Sequence, residues 1–132
     1  MKYFTHLPLH TSYSLNSGTI KIDNLVDTAK KKNINALAMT DYLNIFGAVK
    51  FYNKCIKARI KPIIGCEIPF VTEQNNRIDN IVLLCQDIDG YYNLNKILSF
   101  IHKSRSSDLG ATFELLKEYN TSLLCLSGGR NG

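Results

Sequence analysis

Three residues in this chain have the types and placing to do chemistry together: His10, Asp41 and Glu67. His10 closes a short apolar, alternating run and opens a Ser/Thr-rich loop, T-S-Y-S-L-N-S-G, that ends at Gly18. Asp41 ends the run A-M-T-D and Glu67 ends I-I-G-C-E. In α/β folds the carboxyl ends of strands and the loops after them are where reactive groups are placed. A histidine and two carboxylates from three strand ends are what a metal-assisted phosphate hydrolase would gather.

The elements that must position these residues follow from hydrophobic periodicity. Tyr3 to Leu9 reads as a first strand, with Pro8 near its end. Ile22, Leu25, Val26 and Ala29 recur at helical spacing, and Asn33 suits a left-handed cap after them. Ala36 to Thr40 is a short buried strand. Ile45, Ala48, Val49, Tyr52, Cys55 and Ile56 line one expected face of a second helix. Ile63 to Val71 is a third strand, Thr72 to Asp79 a polar, hairpin-like loop, and Ile81 to Cys85 a fourth strand. Tyr91, Leu94, Ile97, Leu98 and Ile101 give a third helix. Thr112 is an expected N-cap for a short helix through Glu118, and Leu123 to Leu126 is a fifth strand. Strands alternating with amphipathic helices favour a parallel α/β arrangement, either an open sheet or part of a barrel. A last apolar run so near Gly132 suggests a portion of something longer.

Composition narrows the function classes. The 132 residues suffice for one domain with a core. No apolar run approaches the roughly 20 residues of a membrane helix, and charge interrupts the N-terminus too early for a signal peptide. A cytoplasmic protein is expected. Cys55, Cys66, Cys85 and Cys125 include no C-x-x-C pair, and buried, reduced packing cysteines are expected rather than a zinc cluster or disulfide frame. The net charge of +5 permits a nucleic-acid partner, but the chain is rich in Lys, Asn and Ile, the skew left by AT-rich codons. The run Lys30-Lys31-Lys32 reads first as a solvated helix end favoured by the helix dipole, and second as a phosphate-binding patch.

Five ordered stretches carry a resemblance: H-L-P-L-H-T-S-Y-S-L-N-S-G, A-L-A-M-T-D-Y-L-N-I-F-G-A-V-K-F-Y, I-K-P-I-I-G-C-E, G-Y-Y-N-L and L-L-C-L-S-G-G-R-N-G. They resemble the N-terminal PHP (polymerase and histidinol phosphatase) domain of the alpha subunit of bacterial DNA polymerase III. The resemblance implies that residues 1–132 are the first part of a distorted (β/α)7 PHP-type barrel. The rest of that domain and the polymerase domains are absent from the chain. Metal-binding members of the family hold Zn²⁺ or Mn²⁺ at the strand ends through an H-x-H pair, acidic residues, further histidines and a cysteine.

Carried over position by position, His10 is the second histidine of H-x-H, while Pro8 stands at the first. Ser17 stands where an aspartate is usual. Asp41 keeps its place in the T-D-H-G motif, and Tyr42 replaces the histidine. Glu67 survives. Asn80 and Gly129 stand where a histidine and a cysteine are common. A divalent ion needs about four to six well-placed donors. The resemblance therefore implies a vestigial site, with no catalytic residue and no cofactor in this segment, Mg²⁺ serving the parent polymerase. The implied role is a scaffold and docking module within a DNA-synthesising enzyme. Its partners would be other polymerase subunits, notably the epsilon proofreading exonuclease subunit, and DNA through the parent protein. The alternative is a working metal-dependent phosphoesterase or 3′–5′ exonuclease carried by His10, Asp41 and Glu67.

Each residue also has a plainer reading. His10 could be a buried histidine bonding across strand ends, with His6 on the same strand face. Asp41 could cap the next helical turn, and Glu67 could pair with a cation. His102 suits a helix C-terminus. Tyr42 and Asn44 would shape the former cleft, and Gly47 would allow close packing inside a helical pattern. Ser127-Gly128-Gly129-Arg130 could cradle a phosphate or simply turn the chain.

Overall fold

The computed structural model describes residues 9–14, 20–72, 77–104 and 110–127. In chain order the elements are α1 (Ile22–Lys31), β1 (Ala36–Tyr42), α2 (Ala48–Lys57), β2 (Lys61–Thr72), β3 (Arg77–Cys85), α3 (Ile88–Lys103), α4 (Phe113–Tyr119) and β4 (Leu123–Ser127). The strands form a four-stranded sheet in the order β1-β2-β3-β4. The expected first strand lies mostly outside the described residues. Of its expected residues only Leu9 is described, and its carbonyl accepts from Thr40 N–H at 2.9 Å. The chain divides into two compact units, residues 1–65 and 66–132.

In the first unit, Ile22, Val26 and Ala29 of α1 and Ala48, Phe51 and Cys55 of α2 are buried with Leu37, Ala38 and Met39 of β1. β1 is buried continuously from Leu37 to Asp41, the mark of a strand covered on both faces. Both helices close with the same backbone device. Asn33 and Arg59 adopt left-handed φ values of 54° and 61°. The following amides reach back, Ile34 N–H to Ala29 O and Ile60 N–H to Cys55 O, each at 2.9 Å. These bonds satisfy carbonyls that the helix end would otherwise leave unmade. Asn33 takes the cap expected of it.

The expected inner face of α2 needs correction. Val49, Tyr52 and Ile56 are exposed, and Phe46 beside them is 76% exposed. Ala48 and Cys55 are buried as expected, and Phe51 completes the buried stripe in place of Val49, Tyr52 and Ile56. Both stripes have the same i, i+3, i+7 spacing, so periodicity alone could not choose between them.

In the second unit, Cys66 and Ile68 of β2, Val82, Leu83 and Leu84 of β3 and Leu94, Ile97 and Leu98 of α3 form the core. Asp87 caps α3 by accepting from Gly90 N–H at 3.0 Å, and Thr112 caps α4 by accepting from Leu115 N–H at 3.3 Å. The expectation of uniformly parallel strands is corrected here. β3 and β4 pair antiparallel, with Leu83 opposite Cys125. A single crossover helix returns a parallel strand, but α3 and α4 both lie between β3 and β4, so the chain reverses once more. β2 and β3 are sheet neighbours separated by four residues, too few for a parallel crossover. The segment before α4 adds a one-residue bridge, Ala111 to Phe70. Ala111 N–H donates to Pro69 O at 2.7 Å, and Val71 N–H donates to Ala111 O at 3.0 Å.

No disulfide joins the four cysteines. Cys55 and Cys66 are buried as expected, whereas Cys85 is half-buried and Cys125 is exposed on β4 next to the exposed Leu124. Among the described residues no helix is long and apolar enough to cross a membrane.

Candidate functional site

The segment from Leu9 to Ser14 runs beside β1 and is stitched to it residue by residue. Leu9 N–H donates to Thr40 Oγ1 at 2.8 Å. Two residues on, Thr11 donates to Asp41 twice, its backbone N–H to Oδ1 and its hydroxyl to Oδ2. Thr11 and Asp41 are both fully buried. The Thr11 hydroxyl also accepts from Tyr13 N–H at 3.3 Å, and Ser14 N–H closes the turn on Thr11 O at 3.0 Å. Ser14 Oγ then accepts from Tyr42 N–H at 2.8 Å.

The loop after β1 is fixed from the same segment. Asn44 Nδ2 donates to Tyr13 O at 2.8 Å and to Tyr42 O at 3.1 Å, while its Oδ1 accepts from Phe46 N–H at 3.1 Å. Leu43 takes a left-handed φ of 56° to make this turn. A Cβ at Gly47 would lie 2.9 Å from both Tyr13 Cδ2 and Ile22 Cδ1, so the helix enters α2 in direct contact with its neighbours. Close packing is the role expected of that glycine, and the hydrogen bonds of Asn44 fix the loop that leads to it.

Of the sequence-predicted site residues, His10 and Asp41 lie in the first unit, on adjacent segments, with His10 half-buried. Asp41 does not cap a helical turn, the plainer role considered for it; it is the last but one residue of β1 and is held by Thr11. Glu67 lies on β2 and Asn80 on β3, both half-buried in the second unit. Pro8, Ser17 and Gly129, like His6, lie outside the described residues. His102 is exposed in the last turn of α3, where a cation suits the dipole. Among the described residues no group of three or more His, Cys, Asp or Glu side chains converges to hold a metal.

Sequence reasoning missed Thr11 and Ser14, the two hydroxyls that engage the end of β1. Their signal was present as a Ser/Thr-rich loop directly after His10. Nucleophilic cysteine chemistry has no support either. Burial pushes the Cys55 thiol up to about 11, and burial with the nearby Asp87 charge pushes Cys85 to about 11. In the second unit a cleft of 530 Å³ lies between the end of α3 and α4, bounded by Phe100, Ile101, Lys103, Leu115 and Glu118. It contains none of the predicted site residues.

Comparison with known proteins assigns the family. The family model described as the PHP domain matches residues 6–132. The chain belongs to the PHP domain family. This PHP domain is 35% identical over 133 residues to DNA polymerase III subunit alpha of Buchnera aphidicola subsp. Acyrthosiphon pisum, covering 98% of the chain and 12% of the relative. It is 38% identical over 152 residues to the subunit of the same name from Aquifex aeolicus, covering 99% and 13%. The PHP domain thus spans about an eighth of the length of these relatives. Among solved structures, an amidohydrolase from Chromobacterium violaceum with bound sulfate and no metal aligns with a TM-score of 0.61 at 22% identity, over 76% of this chain and 34% of that one. A protein from Bifidobacterium adolescentis described as a candidate metal-dependent phosphoesterase aligns with a TM-score of 0.58 at 20% identity, over 76% and 33%. At these identities the structural likeness speaks for the fold.

Proposed function

We propose that this PHP domain is a non-catalytic module of a bacterial replicative DNA polymerase alpha subunit, the first part of a distorted (β/α)7 barrel in a cytoplasmic protein. It serves there as a scaffold and as a docking surface for the epsilon proofreading exonuclease subunit. The relatives' names support the parent enzyme. One observation carries the non-catalytic reading: both oxygens of Asp41, a surviving ligand position, are engaged by Thr11 inside the protein. Each oxygen keeps a second lone pair, but the clamp and the full burial of Asp41 leave no solvent-facing edge of the carboxylate for an incoming ion. The rest of the donor set fits a metal poorly as well. Pro8 and Gly129 offer no side-chain donor, Tyr42 replaces an imidazole, and Asn80 is a weak neutral ligand.

Calorimetric titration with Zn²⁺ and with Mn²⁺, paired with a phosphodiester hydrolysis assay, tests this reading. No heat of binding at micromolar metal and no hydrolysis are expected. Hydrolysis that Asp41→Ala abolishes would overturn it in favour of an active metal-dependent phosphoesterase or 3′–5′ exonuclease built on His10, Asp41 and Glu67. The docking role is read separately, by co-elution of the chain with the exonuclease subunit.

A further inference from the structure

Charge is divided unevenly along this chain. Residues 1–65 hold ten Lys and Arg against three Asp and Glu, a formal +7, whereas residues 66–132 hold six against eight, a formal −2. The three acids of the first unit are mostly committed elsewhere. Asp41 is buried on Thr11. Asp23, in the first turn of α1, pairs with Lys50 at 3.0 Å and Lys54 at 2.8 Å of α2. Asp27, one turn before Lys31, also acts on Lys54.

Of the cations left over, Lys2 lies outside the described residues and Lys21 stands at the N-cap of α1; the other six stand at the ends and just beyond the ends of α1 and α2. α1 finishes on Lys30 and Lys31 with Lys32 at its cap, and α2 finishes on Lys57 with Arg59 just beyond it. Lys61 N–H donates to Asn35 O at 2.8 Å, which sets the loop leaving α1 directly beside the loop leaving α2. Lys30, Lys31, Lys32, Lys57, Arg59 and Lys61 are all exposed, and none makes an ion pair among the described residues.

Arg59 is the telling member. It occupies the left-handed cap position of α2, where glycine is the usual residue and asparagine, as at the matching Asn33 of α1, the next. An arginine there holds a conformation that costs an L-residue energy, as Leu43 and Ser122 also do, and it places an exposed cation just past the end of α2. The sequence alone offered Lys30 to Lys32 first as a solvated helix end and second as a phosphate-binding patch. The fold brings a second cationic helix end against it.

We propose that this end of the first unit, the C-termini of α1 and α2, is a surface that takes the phosphate backbone of double-stranded nucleic acid without reading its sequence. Six exposed cations at two adjoining helix ends and the start of β2 offer several points for phosphates, and backbone contacts of this kind carry affinity rather than specificity. The choice of nucleic acid over an acidic polypeptide rests on the reading of the chain as part of a DNA polymerase subunit.

The test is fluorescence anisotropy of the full chain with a fluorescein-labelled duplex over a range of NaCl concentrations, without any exonuclease subunit present. Each phosphate contact removed lowers the slope of log affinity against log salt by about 0.9. The triple variant Lys31→Ala/Lys57→Ala/Arg59→Gly is expected to lower that slope by on the order of 2–3, and Lys103→Ala/Lys117→Ala to leave it unchanged. Arg59→Gly alone, which relaxes the cap and so keeps the fold, is expected to lower it by about 1, while Arg59→Lys retains it. A triple variant with the parental slope would overturn the proposal. So would polyglutamate displacing the duplex as well as unlabelled duplex does at equal charge, since the surface would then accept acidic chains. Failure of the exonuclease subunit to co-elute would count against the docking reading and leave this slope untouched.

Discussion

Thr11 holds Asp41 at two points, donating its backbone N–H to one carboxylate oxygen and its hydroxyl to the other, with both residues sealed from solvent. The two are thirty residues apart in the chain. This clamp fastens the Leu9–Ser14 segment to the end of β1, and it gives each carboxylate oxygen a protein donor.

Removing the hydroxyl while keeping the shape should therefore be costly. Thr11→Val is expected to destabilise the fold by about 1–3 kcal/mol, because a buried carboxylate oxygen loses its donor. Thr11→Ser, which keeps the hydroxyl, should recover most of the loss. Urea denaturation followed by circular dichroism measures both.

Three glycines should rank by what a methyl group would strike. At Gly90 a Cβ would lie 2.1 Å from Ser122 O, and at Gly110 2.1 Å from Pro69 O, both rigid backbone. At Gly47 the obstacles at 2.9 Å are the side-chain tips of Ile22 and Tyr13. Alanine at 90 or 110 is expected to cost about 1–3 kcal/mol or more, and alanine at 47 less than either. Equal losses at 47 and 90 in thermal melts would contradict this geometry.

Acid should loosen the pairing between α1 and α2. The Lys54 ammonium first, and Lys50 second, hold the Asp23 carboxyl below its ordinary value through hydrogen bonds. A carboxylate lowered in the folded state adds stability above its unfolded pKa, and that stability fades as pH falls through the folded value. The melting temperature of the parent chain should fall more steeply below about pH 4 than that of Asp23→Asn. Salt should narrow the gap, since the pair is exposed.

Thiol labelling at neutral pH should separate the cysteines by position. Cys125 is exposed on β4 and should react first, although partial burial raises its pKa. Cys55 is buried with its pKa pushed to about 11, so it should react only once the chain unfolds. Mass spectrometry of labelled peptides reads the order, and early modification of Cys55 would refute it.

What could be read from the residues alone was local. Asn33 at a left-handed cap, Thr112 at an N-cap and Gly47 in close contact all follow from the chemistry of a few neighbouring positions. The α2 face was legible in part: Ala48 and Cys55 are buried as expected, but Ala48-Phe51-Cys55 and Val49-Tyr52-Ile56 satisfy the same periodicity and only the neighbours choose between them. The antiparallel β3–β4 pair depended on two helices in one connection, which a strand-helix count does not weigh. The Thr11–Asp41 clamp is long-range, and a hydroxyl in a Ser/Thr-rich loop carries no mark of its distant acceptor. The candidate ligands His10, Asp41 and Glu67 were legible as a pattern of residue types. What occupies the Asp41 oxygens was visible only in three dimensions.

The reciprocal bonds between Ala111 and the Pro69–Val71 stretch leave Gly110 pressed against a carbonyl. A lineage whose codons drift towards Lys, Asn and Ile can absorb that drift across exposed helix faces at little penalty. It cannot do so at codon 110, where every available replacement carries the one atom for which there is no room. Among natural variants of this chain, that codon should be nearly silent, changing in its third base while its neighbours wander.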